Sequence, residues 1–202
     1  MADPIAFHFD FISPYAWPGA VGIEALAAQH GRTVDWHPML LGVSVMKTMG
    51  LPPLMDTPLK GDYIRMDVPR IYRFHGLDYR PAVPDFVTSP FAPARLFCWM
   101  LAQDRTRATD AARDMLRAHW SEGIDVSQKD NAVAIAARHG FDRDAASAAP
   151  DDPEVKEMLK DACNRSVAAG VFGSPSFIVD GELFWGTDRL PQIAWTLEQA
   201  SA

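Results

Sequence analysis

Three short segments of this 202-residue chain carry residue types that could do chemistry at one place. The first is Asp10-Phe11-Ile12-Ser13-Pro14-Tyr15-Ala16-Trp17, which follows an aromatic-rich run and opens a helical pattern. A hydroxyl at such a junction faces unpaired backbone N–H groups and the positive end of a helix dipole. Ser13 has two readings there. It caps the helix, as serine commonly does, or its O–H donates to an anion brought in by a ligand, a thiolate being the fitting case. A serine-hydrolase nucleophile is the weaker idea, because no G-x-S-x-G elbow surrounds Ser13 and the nearest histidine, His8, has no evident orienting acid. The second segment is Val171-Phe172-Gly173-Ser174-Pro175-Ser176-Phe177. A proline at a strand's start can occupy a cis peptide bond. The residue before it, Ser174, then offers its backbone N–H and C=O to an extended peptide. An ordinary strand-entry Pro175 is the alternative. The third segment is Gly186-Thr187-Asp188-Arg189, where Asp188 and Arg189 either hold an amino group and a carboxylate or merely cap a helix and meet solvent.

Other chemistries find no support. The six histidines show no metal-ligand spacing, so no metal is expected. Cys98 and Cys163 are far apart and match no redox or metal pattern, so both read as small buried hydrophobes. The six tryptophans read as core and rim packing, and no dinucleotide or P-loop signature occurs. A net charge of -7, from 19 basic and 26 acidic residues, argues against a nucleic-acid partner. It is compatible with a small anionic ligand held in a local pocket of donors. The N-terminal residues lack a charged-then-apolar leader and no run is long enough to span a bilayer, so a cytoplasmic protein without a membrane partner is expected.

The elements that must position these segments can be read in outline. Residues 5–11 form a buried strand. A helix follows, with Ser13 as cap, Pro14 at its first position and Gly31 beyond its end. Residues 33–40 give a second strand, ended by Pro38, so the opening is a parallel β-α-β unit. Near the C-terminus the runs SFIV and ELFW are joined by Asp180-Gly181, a strong hairpin signal. Asp188 then caps a last helix with Leu190, Ile193, Ala194 and Leu197 facing inward and Pro191 in its first turn. Between these ends, helices are expected at about 43–49, 59–75, 91–104, 107–121, 128–139 and 153–169, with Pro69 kinking or dividing the second. Residues 77–90, with Pro81, Pro84 and Pro90, read as an extended loop. The assembled order is an α/β fold: a thioredoxin-like βαβ–ββα domain with a large all-helical insertion. The division expected is residues 1–42 with 170–202 as a discontinuous thioredoxin-like domain, and 43–169 as the insertion. In thiol-disulfide enzymes of that fold the first turn holds C-x-x-C; Ser13 and Ala16 stand there instead, which excludes dithiol redox chemistry.

The segments F-D-F-I-S-P-Y-A-W, H-P-M-L-L-G-V and V-F-G-S-P-S-F…D-G-E-L-F-W-G-T-D-R-L together resemble the 2-hydroxychromene-2-carboxylate isomerases, which group with kappa-class glutathione transferases and the wider DsbA-like proteins. The similarity runs over essentially the whole chain. It implies a glutathione site with a small-molecule substrate, and a homodimer. Ser13, the implied catalytic residue, would donate to the glutathione sulfur. Ser174, ahead of a cis Pro175, would hold the cysteinyl backbone. Thr187, Asp188 and Arg189 would bind the γ-glutamyl end, and Lys60 would lie near the glycyl carboxylate. One departure is visible: the family's G-N-x-P-P stretch reads Gly50-Leu51-Pro52-Pro53 here, one residue shorter and without its asparagine.

The isomerisation implied adds a thiolate to a conjugated acid, lets the former double bond rotate and expels the thiolate again, which needs neither a metal nor a redox change. A glutathione transferase or peroxidase using the same Ser13-held thiolate on electrophiles is the alternative. A thioredoxin-like binding domain that has lost its thiols is a third, and it predicts no affinity for glutathione.

Overall fold

The aromatic run at the N-terminus becomes the centre of a four-stranded sheet in the computed structural model, which describes residues 3–83 and 88–200. Strand β1 (Ile5–Phe9) pairs in parallel with β2 (Val34–Pro38), from Ile5 opposite Val34 to Phe9 opposite Pro38. Its other edge pairs antiparallel with β3 (Ser176–Val179), and β3 with β4 (Glu182–Trp185), giving the order β2-β1-β3-β4. The β3–β4 hairpin turns on Asp180 at φ 50 and Gly181 at φ 87. Two successive left-handed residues match the twist of the strands they join, which is why an Asp-Gly pair serves there.

Side-chain alternation sends β1 in two directions. Phe7 and Phe9 lie on one face, where Phe7 stacks on Phe177 at 5.6 Å and meets Trp36 edge-on at 4.9 Å. Helix α1 (Ala16–Gln29) covers this face, with α8 (Leu190–Ala200) beside it. His8 points to the other face, where its Nδ1 lies 3.0 Å from Ser166 Oγ. Ser166 belongs to α7 (Pro153–Ala168), so that helix, although it falls within 43–169, lies against the sheet.

The intervening residues are helical: α2 (Lys60–Phe74), α3 (Phe91–Leu101), α4 (Arg105–Ser121), α5 (Lys129–Arg138) and α6 (Arg143–Ala148). Phe97 of α3 meets Phe9 at 5.5 Å, continuing the sheet's apolar face into the helical lobe. Arg113 of α4 forms a two-pronged pair with Glu24 of α1, at 2.6 and 2.9 Å.

The structure corrects the capping expected of Ser13 and Asp188 and refines other local expectations. Helix α1 begins at Ala16 with Tyr15 in the capping position, not at Pro14 after a Ser13 cap. Helix α2 runs through Pro69 without being divided. The helix expected at about 43–49 forms over residues 42–48 and is of π type, with Met49 N–H donating to Ser44 O at 3.1 Å. Asp188 caps nothing: its carboxylate pairs with Arg189 at 3.1 Å, and α8 follows a short 3-10 turn at Thr187–Arg189. Helix α6 was not expected, because its alanine-rich sequence has no amphipathic period, although Asp142 caps it by accepting from Ala145 N–H at 2.8 Å. Within the expected loop over 77–90, residues 77–83 and 88–90 form neither helix nor strand, and Pro84 lies outside the described residues. Arg80 and Ala82 instead give their N–H groups to the Trp120 and His119 carbonyls at the end of α4.

Candidate active site

The turn from Asp10 to Tyr15 is held from every side. Trp120 Nε1 of α4 donates to Phe11 O at 3.0 Å. Tyr72 of α2 donates to Pro14 O at 2.8 Å, and Thr187 Oγ1 to Tyr15 O at 3.3 Å. Tyr15 itself donates to Asp67 of α2 at 2.9 Å. Elements distant in sequence therefore converge on this six-residue turn and fix its geometry.

Within that turn, Ser13 is 2% exposed, and its Oγ donates to Ser174 O at 2.8 Å. The Ser174–Pro175 peptide bond is cis. Ser174 Oγ in turn accepts from Asp10 N–H at 2.9 Å, so the two serines bind their opposing backbones reciprocally. The Ser174 N–H has no partner among the described residues. Pro175 O accepts from Gly186 N–H at 3.0 Å, which fixes the Thr187–Arg189 turn beside the same peptide. Gly19 of α1 completes the packing: a Cβ there would come within 2.8 Å of Pro175 Cγ.

Asp10 is fully buried and was quoted in its motif without a role. Its carboxyl accepts from Leu41 N–H at 2.8 Å and Ile12 N–H at 3.2 Å, joining the Ser13 turn to the chain leaving β2. Burial pushes its pKa up to about 7, although both backbone donors favour the ionised form. A carboxyl among F-H-F-D-F aromatics at a strand end was a readable signal, since such a group must find partners when it is buried. Gly19 could not have been recognised, because its need for a missing Cβ arises only from Pro175, far away in sequence.

The structure thus joins Ser13 directly to Ser174, with Pro175 next in the chain and Thr187 bound to the same turn through Tyr15 O. Asp188 and Arg189 are adjacent on the 3-10 turn, Asp188 exposed and Arg189 half-buried, and Arg189 also donates to Gln192 at 3.3 Å. Lys60 is exposed at the first position of α2, the helix docked on Tyr15 and Pro14, and no hydrogen bond ties it to the other site residues. His8 is not a partner of Ser13: it binds Ser166, stacks on His37 at 4.8 Å, and has its pKa lowered to about 4, chiefly by burial. Cys98 and Cys163 are free and buried, their thiol pKa values pushed up by burial to about 12 and about 11. No metal-binding cluster of His, Cys, Asp and Glu occurs among the described residues, and no helix among them is long and apolar enough to cross a membrane.

A turn serine just ahead of α1, a cis-proline facing it and a β-α-β…β-β-α frame define a thioredoxin-type architecture. The model of the DsbA-like thioredoxin domain matches residues 4–198, and the chain belongs to that family. Among individual proteins it is 29% identical to a 2-hydroxychromene-2-carboxylate isomerase of Sphingobium xenophagum, over 94% of this chain and 95% of that one. It is 28% identical to glutathione S-transferase kappa 2 of Caenorhabditis elegans, over 94% and 89%. The solved structure of a 2-hydroxychromene-2-carboxylate isomerase superposes with a TM-score of 0.84 at 22% identity, covering 98% of this chain and 95% of that one. The cytosolic disulfide reductase DsbM of Pseudomonas aeruginosa, solved with GSH, superposes at 0.65 and 19% identity, covering 98% of each chain.

Proposed function

We propose that the protein is a glutathione-dependent enzyme that isomerises a conjugated acid in the manner of 2-hydroxychromene-2-carboxylate isomerases, with Ser13 as the residue that touches the sulfur. The observation that carries this reading is the Ser13 hydroxyl lying 2.8 Å from Ser174 O across the cis peptide, at the start of α1. The fit to glutathione rests on two features of Ser174. Its N–H has no partner among the described residues, and its C=O is held only by a hydroxyl that can turn away. An extended cysteinyl backbone can take both groups, as a strand takes a sheet edge.

Bound glutathione supplies a thiolate that adds to the conjugated double bond, permits rotation and leaves again, so no oxidant or reductant is consumed. Ser13 contributes a hydrogen bond that turns from Ser174 O toward the sulfur. The α1 N-terminus contributes a favourable potential for the negative charge. Ser174 orients the ligand's backbone through its own N–H and C=O. Thr187, Asp188 and Arg189 hold the γ-glutamyl end, with Asp188 on the amine, and Lys60 meets the glycyl carboxylate. These carboxylate and ammonium partners fix orientation through charge-assisted hydrogen bonds.

Calorimetry with glutathione, followed by isomerase assays with 2-hydroxychromene-2-carboxylate, tests the reading. Binding together with turnover that falls in Ser13→Ala supports it, and absence of glutathione binding contradicts it. Glutathione transfer to electrophiles is the second reading, favoured by the nearly equal identity to the kappa-class relative. Conjugation of an aryl halide without isomerisation would select it. A cytoplasmic homodimer is the proposed state of the enzyme, by likeness to its relatives.

A further inference from the structure

Between the π turn, the start of α3 and helix α7 lies a cavity of about 240 Å³. Leu40, Leu159 and Cys163 line it from inside and are buried. Lys47, Arg95, Lys156 and Lys160 line it too, and no carboxylate of the described residues does. In a chain of net charge -7, four cations lining one apolar hollow, of which Lys160 is paired with Glu157, mark a place built for an anion with an apolar body.

The register of α7 against the sheet locates the cavity. Ser166 reaches His8 inside β1. Cys163, one turn earlier, lies beside the Leu40 backbone and in the field of Asp10, at the carboxyl end of that strand. Lys160 and Lys156 come one and two turns earlier again, so Lys156 stands roughly 10 Å beyond Cys163 along the helix. The cavity therefore opens past the carboxyl ends of the parallel strands, the end that also carries Ser13. Asp10 is common to both: its carbonyl accepts from Ser13 N–H at 3.0 Å, and its carboxyl from Leu41, the neighbour of cavity-lining Leu40.

The cations differ in readiness. Arg95 is the most fixed: its guanidinium sits 5.0 Å over the Phe91 ring, Nη1 donates to Pro150 O at 3.2 Å, and its buried Nε has no partner. Lys47 has no acidic partner among the described residues. Lys160 is paired with Glu157 at 2.5 Å. Asp151 lies in the field of both Lys156 and Arg95, but its nearest cation is Lys129, at 3.1 Å.

We infer that this cavity is the acid-binding site, holding the carboxylate of a planar, apolar carboxylic acid on Arg95, Lys47 and Lys156 with its body against Leu40, Leu159 and Phe91. The inference rests on the glutathione reading above, because an acid seated here becomes the second reactant at the Ser13 end of the sheet. It also divides the two enzyme readings, since a transferase for neutral electrophiles has no use for this ring of cations.

Calorimetry on the full chain, with glutathione present, would compare 2-naphthoate with its neutral analogue 2-naphthamide. The acid should bind at least about tenfold more tightly. Arg95→Gln and Lys47→Gln should each weaken the acid by about tenfold, as loss of a charge-assisted contact does, while leaving glutathione affinity unchanged. Lys47 is exposed on the π turn, so its variant keeps the test decisive if Arg95→Gln fails to fold. Equal binding of acid and amide, or acid binding indifferent to both substitutions, overturns the inference while glutathione binding stands. Loss of glutathione binding in the unsubstituted protein, with acid binding still dependent on Arg95, upholds the acid site and removes its role as second reactant.

Discussion

Ser13 gives its one proton to a backbone carbonyl, and that arrangement defines how it can act. A thiolate arriving near the start of α1 must compete with Ser174 O for the hydroxyl, while the released carbonyl becomes available to the ligand's own N–H. One hydrogen bond to a charged group contributes about 1.5–3 kcal/mol. Ser13→Ala should therefore lower kcat by roughly 10- to 100-fold, with a stability loss of about 1 kcal/mol from the missing Ser174 contact. Steady-state kinetics beside thermal unfolding separates the two effects. Thr187→Val removes only the 3.3 Å bond to Tyr15 O. It should raise the glutathione KM with little change in kcat, because it disturbs the ligand's seat and not the sulfur. An equal fall in kcat would contradict that division.

At the scale of elements, the close approach of α1 to the Pro175 peptide is the most exacting contact. A Cβ on Gly19 would meet the Pro175 ring at 2.8 Å, whereas one on Gly22 would meet only the tip of the Leu190 side chain, which can swing aside. Gly19→Ala should destabilise the fold by about 1–3 kcal/mol despite its better helix propensity and should weaken glutathione binding. Gly22→Ala should be close to neutral. Chemical denaturation of both variants checks the contrast. The same contact shows what the chain made legible. The strands, the Asp180-Gly181 hairpin and most helices follow from local pattern; Ser13 and Ser174 stand out as turn and strand-entry residues, whereas Thr187 is singled out only by the family resemblance. Ser13's actual partner was not legible. As a local motif it reads as a helix cap, and only the antiparallel pairing of β1 with β3 brings Ser174 O within reach. The π turn at 42–48 was hidden for a similar reason: its i, i+5 pairing leaves a hydrophobic pattern that is indistinguishable from an α-helix over seven residues.

Across the whole molecule, two buried groups of β1 and its end set opposing dependences on pH. His8 falls to about 4 in the folded state, through burial and the neighbouring His37, against the partial support of Asp35. The unfolded chain then binds more protons between about pH 4 and 6.5, so this contribution is full above pH 6.5 and is lost on acidification. Asp10 rises to about 7, so the folded chain binds more protons between about pH 4 and 7. Its contribution is full below pH 4 and is lost as pH rises through 7. Each slope is at most about 1.4 kcal/mol per pH unit, and the two largely cancel near pH 5–6. Urea unfolding across that range should show that His8→Phe makes stability fall more steeply with rising pH than in the unsubstituted protein, and that Asp10→Asn makes it rise. Variants that keep the parent slope would contradict the two assignments. The Asp10→Asn variant should also lose affinity at both neighbouring sites, since one carboxyl holds Ile12 and Leu41 together.

The central claim, that the turn at Ser13 holds another molecule's thiolate, is tested most directly by titrating glutathione bound to the protein and following thiolate absorbance in the ultraviolet. Free thiols ionise near pH 8.5, and the bound sulfur should ionise roughly two units lower. In Ser13→Ala the value should move back toward that of free glutathione. A bound thiol that ionises at its ordinary pH, or one indifferent to the loss of Ser13, would contradict the account.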